Sequence, residues 1–560
     1  MESFVLSLVD LVVFVVSFGV SVLIGIYYGF VRKKRQNNPT EYLLGGRRMH
    51  VVPVAASLVA TQLSGPSLLG MPAEIYAFGT QYWLIFLPAI AMTVVVIKIH
   101  LEVLFEQSSF SSFAYVSRRF GWRVKKMMSG IYALSILLFL PVAIYVPALA
   151  LNQMVGMSIH TSAIVLSILC LFYTLVGGMR AILWTDTLQL ALMLTATLTA
   201  TVLAIYTAGG VERVWEAADR GGRLIFFNMD PSPVVRVSFW TIAVGNPFVL
   251  LFHLGLNPTS IQRYISLPKI EDAKICLITM SVGYVLFNVL FLITGLALYA
   301  SYETCDPLKV GTIRKIDQIL PHFIVERGRN IPGLAGIFAA GIFSASLSSM
   351  SSCLNTLSGC IYEDFLSTTF GHLSEKHKSL LLKGIVLCVG VVQLGLVFVV
   401  DTLGAAVFQL TVSVLSISGG ISVGIFTAGM VLPKMNAHGA FSGGLAALLV
   451  VGGISVGAQM RLKEQPLPLR SDGCSNITNI ATTTPFSEAE DDVAWIFRIN
   501  YMFYAFVGFI LVLAIGYPVS VLTGDGERVK DEKLLAPFLR RKHEQHQEFQ
   551  YSVVNNANKS

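Results

Sequence analysis

Along almost the whole chain, runs of about 20 to 30 mostly apolar residues alternate with short polar connections. Such runs can cross a bilayer as helices, which satisfy their own backbone hydrogen bonds and so need no water. The first extends from about Phe4 to Phe30; it is too long for a signal-peptide core and no basic stretch precedes it, so it reads as a span. Others fall near 50–76, 81–105, 127–150, 158–180, 185–208, 236–264, 273–300, 332–362, 380–402, 404–431, 436–458 and 497–523. The pattern predicts an all-α polytopic membrane protein of about 13 transmembrane helices in contact with lipid, with no room for a large appended soluble enzyme.

Composition agrees, with 54% hydrophobic and 13% charged residues, against roughly 25% charged in soluble domains. The net charge of +7 does not mark a nucleic-acid partner, because Lys and Arg gather in short segments between spans, as positive-inside topology requires. Glu2 and Asp10 precede most of the first span and Arg32, Lys33, Lys34 and Arg35 follow it, which places the N-terminus outside. An odd span count then puts the C-terminus in the cytoplasm, with Arg118, Arg119, Arg180, Lys269 and Lys434 in connections assigned inside. The sequon Asn476-Ile-Thr478 falls in a loop assigned outside, so glycosylation is expected at Asn476 and not at Asn558 in the tail. The seven cysteines show no zinc or haem spacing; Cys305 and Cys474 both lie in outside loops, where a disulfide is chemically allowed. The tail, 524–560, reads as a basic topological anchor with a disordered end. No Gly-rich phosphate loop followed by Lys-Ser/Thr occurs, which argues against ATP-driven pumping.

Two spans carry helix breakers at mid-membrane: Ala60-Thr-Gln-Leu-Ser-Gly-Pro-Ser67 in the second and Gly255-Leu-Asn-Pro-Thr-Ser-Ile-Gln262 in the seventh. A broken helix leaves carbonyls that suit a cation and amides that suit an anion. Carbonyls near Ala60 and Leu63 are expected to face a cation, and amides near Gly65 and Ser67 an anionic group. Asn257 reads as an N-cap and Pro258 as a first helical residue, so that Thr259 and Ser260 begin an inner half-helix converging on the same anion. Breaks five spans apart predict two five-helix units of opposite topology, 50–208 and 236–431, separated by an extracellular loop at 209–235. An extra helix with a basic inner loop (1–49) precedes them, and two extra helices (432–523) enclosing the external loop 459–496 follow. The ninth span adds Phe343-Ser-Ala-Ser-Leu-Ser-Ser-Met-Ser-Ser-Cys-Leu-Asn355. Packing and cation binding are both open for such a tract, since two adjacent hydroxyls and a carbonyl one turn earlier form an uncharged half-shell suited to sodium.

Pro72-Ala-Glu-Ile-Tyr76, Gly79-Thr-Gln-Tyr-Trp83, Gly177-Gly-Met-Arg-Ala181, Trp184-Thr-Asp-Thr-Leu-Gln189, Gln262-Arg-Tyr264, the serine tract and Leu467-Pro-Leu-Arg-Ser-Asp-Gly-Cys474 together resemble the sodium/solute symporters. The resemblance is to the branch holding the sodium-coupled monocarboxylate, multivitamin and iodide transporters. It implies a leucine-transporter-type core, sodium (Na+) as co-transported ion and no organic cofactor. It implies a sodium site of Ala60, Leu63 and Ala345 carbonyls with Ser348 and Ser349 hydroxyls, and a second site or exit path at Thr61, Asp186 and Gln189. For Asp186 a plain helix cap stays open beside sodium handling. Arg180 and Arg263 read as inner-membrane anchors. The candidate substrate residues are Gln62, Gly65, Ser67, Phe86, Asn257, Thr259 and Ser260. Phe86 stands where sugar carriers place a glutamate and Ser67 where the iodide carrier has a glutamine, which disfavours both ligands.

The expectation is a plasma-membrane symporter, not an enzyme, that imports a small organic anion: a monocarboxylate (lactate, pyruvate, a short-chain fatty acid) or a carboxylate vitamin such as biotin or pantothenate. Left open are a non-transporting sensor or sodium-leak channel on the same scaffold and a carrier of iodide or another anion. The oligomeric state is not legible, and a monomer suffices for transport.

Overall fold

The computed structural model describes residues 7–28, 38–107, 109, 111–400, 407–461, 466–474, 494–524, 529 and 531–540, and among these every regular element is helical. The principal helices are α1 (Leu8–Ile26), α2 (Val51–Gln62), α3 (Gly65–Phe78), α4 (Thr80–Gln107), α5 (Trp122–Val155) and α6 (Ile159–Ala208). Then follow α7 (Pro258–Ile265), α8 (Ile270–Ser301), α9 (Leu334–Ile361), α10 (Glu375–Val400), α11 (Val407–Val431), α12 (Ala437–Arg461) and α13 (Tyr504–Thr523).

Length and hydropathy alone return 10 membrane-crossing helices among the described residues, or 11 if the bent pair α2 and α3 counts as one span. The expected 13 and this count differ at two places. The 50 residues of α6 would extend about 75 Å as one helix, far beyond a hydrocarbon core of about 30 Å. Gly178 interrupts it with φ 58° and ψ −166°, a conformation an L side chain adopts only under strain. The other place is 241–265, where two π-helical turns, Thr241–Gly245 and Phe252–Leu256, flank the short helix Asn246–Leu251 ahead of α7, so no piece is long enough to count.

The axis of the bundle is α9, whose residues from Phe338 to Cys360 are buried throughout. It packs along α6 and touches α5, α2 and α3, and the small side chains of its serine tract allow the close approach. Outward faces of α1, α10 and α12 stay apolar and exposed, as in Val15, Val391 and Leu449. Without an aqueous explanation for so much exposed apolar surface, a lipid environment is the physical one.

Connections sort to two ends. At one, which we call the loop end, Thr80 N–H donates to the Arg223 carbonyl (2.9 Å), Leu467 N–H to Ala77 (2.8 Å) and Asp306 N–H to Arg470 (2.9 Å), and Cys305 is bonded to Cys474. Asp10 accepts from Gly336 N–H at 3.0 Å, so α1 and α9 begin at this same end. At the other, the basic end, Arg119 donates to the Gly429 carbonyl (3.0 Å) and Lys125 pairs with Asp364 (3.0 Å). Arg180 pairs there with Glu41 and donates to the Gly45 carbonyl.

The first part of the tail packs against the bundle. Leu534, Leu535 and Ala536 are buried, Ala536 N–H donates to the Met430 carbonyl (3.0 Å), and Arg540 pairs with Glu102 and Glu106. Residues 541–560, with Asn558, and the sequon at Asn476 lie outside the described residues.

Candidate functional site

The second span breaks where the sequence places it. Helix α2 ends at Gln62, α3 starts at Gly65, and their axes differ by 53°. Pro66 in the first turn of α3 has no N–H to continue a ladder, and Leu63 leaves helical geometry at φ −96°, ψ 82°. The serine tract lies against this break: a Cβ on Gly65 would meet the Ser346 hydroxyl, and Thr61 Oγ1 lies 3.3 Å from Ser352 Oγ.

Ala60, Leu63, Ala345, Ser348 and Ser349 are all buried. Ser349 donates to the Ala345 carbonyl (3.1 Å), leaving its lone pairs uncommitted, and Leu63 N–H makes a tightened 3.3 Å bond to Ala60. Ser348 Oγ is buried and faces the Asp186 carboxylate.

Asp186 is fully buried, inside α6 and not at a helix start, so the capping reading falls. Ser57 donates to its Oδ2 at 2.5 Å, and Arg263 Nη2 lies 3.3 Å from the same oxygen, while Oδ1 has no hydrogen-bond partner. Gln189, one turn along, has both amide atoms buried without partners. Thr61 joins the cluster through Ser57, whose carbonyl accepts its hydroxyl (2.7 Å). The unpaired Gln189 amide and the Asp186 carboxylate, buried together on α6, carry a desolvation cost that a polar occupant would offset.

Arg263 corrects the anchor reading. It is 1% exposed, belongs to α7, and donates to Ser57 Oγ (2.7 Å), the Thr259 carbonyl (3.0 Å) and Ser352 besides Asp186. A buried guanidinium needs partners for its donors, and here four partners from four helices supply them.

Beside this cluster a cavity of about 110 Å³ runs from the two breaks toward the loop end. Gln62, Ser67, Asn257 and Thr259 line it as expected, together with Thr61 and Ser349. Phe86, Gly65 and Ser260 do not. Phe86 packs on Trp83 (5.5 Å between ring centroids), Gly65 packs on Ser346, and the Ser260 hydroxyl donates to the His253 carbonyl (2.8 Å). The anticipated pair of free amide ends is also not formed. Asn257 caps α7 as expected, but its side chain takes the Thr259 N–H (3.0 Å) and its carbonyl the Ser260 N–H (2.9 Å), so the cap consumes the donors meant for a ligand.

Sequence reasoning missed Tyr82, Asn246, His253, Tyr284, Thr411 and Tyr501, which complete the wall. Only Asn246-Pro247, a polar break within an apolar run, offered a signal. None of the lining residues is Asp, Glu, Lys or Arg, and no cluster of three or more His, Cys, Asp or Glu able to hold a metal exists among the described residues.

Comparison with known proteins gives concordant results. A family model described as "Sodium:solute symporter family" matches residues 42–447. The Homo sapiens protein named sodium-coupled monocarboxylate transporter 2 is 34% identical over 523 residues, covering 92% of this chain and 84% of its own. The Mus musculus sodium-coupled monocarboxylate transporter 1 is 32% identical over 546 residues, covering 94% and 89%. The solved structure of a Na+-coupled sialic acid symporter, in a substrate-bound outward-open state, superposes with TM-score 0.76 at 22% identity, covering 92% of this chain and 98% of that one. That likeness assigns the five-plus-five inverted-repeat fold with broken first helices. With a matching family model over most of its length and relatives above 30% identity across nearly all of it, this multi-pass membrane protein belongs to the sodium:solute symporter family, whose members are sodium-coupled carriers and not enzymes.

Proposed function

We propose that this protein is a plasma-membrane symporter that imports a small monocarboxylate, such as pyruvate, lactate or a short-chain fatty acid, together with sodium. The observation that carries the reading is the cavity itself. It is small and uncharged, and it shares Thr61 and Ser349 with the adjoining oxygen cluster. At about 110 Å³ the cavity suits a small acid better than biotin or pantothenate. In a wall without a cationic side chain, the positive charge for a carboxylate comes from sodium held at Ala60, Leu63, Ala345, Ser348 and Ser349, so anion binding follows sodium binding. The relatives named as monocarboxylate transporters support the same class.

In this reading residues 50–208 and 236–431 are the repeats that rock against each other. The loop end faces outside, with the N-terminus and Asn476, and the basic end faces the cytoplasm. Sodium leaves past Thr61, Asp186 and Gln189. The neutral cavity also makes the net charge moved equal to the sodium count minus the anion; at 100 mV each net charge contributes about 2.3 kcal/mol. The deciding experiment is uptake of radiolabelled pyruvate, lactate, biotin and iodide by cells expressing the protein, with sodium or choline outside. Sodium-dependent uptake of the two small acids is expected. Absence of sodium-dependent flux for every carboxylate overturns the proposal.

A further inference from the structure

His253 stands apart from the other polar groups of the cavity wall. It lies in the π-helical turn Phe252–Leu256, directly before the Asn257 break. Such turns widen a helix and re-aim one side chain. Several other donors of the wall are engaged: Gln62 Nε2 with Ser260 (3.4 Å), Ser67 with Ser64 (3.1 Å), Thr259 with Tyr132 (3.0 Å), Asn246 with Tyr82 (3.4 Å), and Tyr284 with Tyr82. Thr411, also at the wall, has a buried hydroxyl without a hydrogen-bond partner. His253 lines the cavity, and its ring makes no hydrogen bond or ion pair among the described residues, meeting only the edge of the neighbouring Phe252 ring among aromatic partners.

Its position relative to the breaks follows from one chain of bonds. Gln62, the last residue of α2, reaches Ser260, and Ser260 reaches the His253 carbonyl. These bonds hold the His253 backbone beside the first break, where Gln62, Ser67 and sodium would hold a carboxylate.

We propose that His253 is the specificity-determining residue of the cavity, donating a ring N–H to an oxygen at the 2-position of the substrate and so selecting 2-oxo and 2-hydroxy monocarboxylates over unsubstituted acids. The inference rests on the symport reading above and deepens it. Neutral imidazole suffices, because one ring nitrogen always carries a proton. The elements packed against this turn leave the ring uncontested. On α7, Arg263 is held by Asp186 and the Tyr264 hydroxyl donates to the Leu254 carbonyl; on α4, His100 pairs with Thr427 and Lys98 is exposed outside the bundle. On α8, Tyr284 is engaged with Tyr82, and α11 carries no titratable residue.

The test compares sodium-dependent uptake of pyruvate and propionate, acids of equal length that differ in the 2-oxygen. A neutral hydrogen bond of ordinary strength corresponds to roughly a five- to tenfold preference, so the wild type should show a pyruvate KM about that much lower. His253→Leu should raise the pyruvate KM by the same factor while moving the propionate KM less than twofold, and His253→Gln, which keeps a donor, should retain most of the preference. Surface biotinylation normalises each variant for folding and delivery. Equal KM values in the wild type, an equal rise for both acids in His253→Leu, or failure of His253→Gln to differ from His253→Leu would each overturn the inference and leave symport standing. Absence of sodium-dependent uptake of either acid by the wild type would instead overturn the symport reading on which it rests.

Discussion

The pair Asp186–Arg263 offers the sharpest test of the site's energetics. Its charges lie 3.3 Å apart with side chains 0% and 1% exposed. At the effective dielectric of about 20 that describes protein sites, their attraction is about 5 kcal/mol. Much of that offsets the cost of bringing both ions out of water, so the pair adds little net stability. Removing one partner is another matter, because the survivor keeps its desolvation cost without the compensation. Asp186→Asn and Arg263→Gln should therefore each destabilise the protein by about 3–5 kcal/mol, while the double substitution should cost far less than their sum, with a coupling of at least 2 kcal/mol. Equilibrium unfolding in mixed SDS–detergent micelles, run as a double-mutant cycle, measures this directly. Sodium activation of uptake separates structure from handling of the ion: the double variant should recover stability but not the wild-type sodium dependence. A coupling below about 0.5 kcal/mol would refute the ion-pair account, and full recovery of sodium dependence in the double variant would remove Asp186 from the sodium path.

Ser349→Ala deletes one oxygen from the cluster shared with the cavity and should raise the half-saturating sodium concentration by about tenfold, the equivalent of one lost ligand bond near 1.4 kcal/mol; an unchanged sodium curve rejects this ligand. Cys305→Ser or Cys474→Ser should free the strap 466–474, seen as faster proteolysis of the purified protein in detergent, with the same effect from a reductant acting on the wild type alone. Glu303, between the spans at the loop end, has its carboxyl held below its usual range first by the hydrogen bond from Arg220 (2.9 Å). A lowered folded-state pKa gives stability that is full above the unfolded value near 4.3 and lost as pH falls through the folded one. The stability gap between wild type and Glu303→Gln should thus be level from pH 5 to 8 and close in stronger acid; a gap that persists at pH 2 contradicts the assignment.

What the amino-acid sequence determined alone is whatever depends on local chemistry. Apolar run length sets helices that cross a membrane, because lipid forbids unpaired backbone. Pro66 and Pro258 set the breaks, because proline lacks the N–H that a continuous helix needs, and Asn257 sets the cap. The serine tract marks a helix buried on all sides, because small side chains let neighbouring helices approach closely. Tertiary structure decided everything that needs two distant residues in one place. Arg263 reads as an anchor until α7 brings it to Asp186, 77 residues earlier, where a buried guanidinium must find its partners. The same folding lets Asn257 use up the amides that a reading of broken helices reserves for a ligand. His253 and Tyr82, ordinary residues of apolar segments in one dimension, become the wall of a cavity because two broken helices cross there. A helix break can be read from one segment; the shape of the space it opens depends on every helix around it.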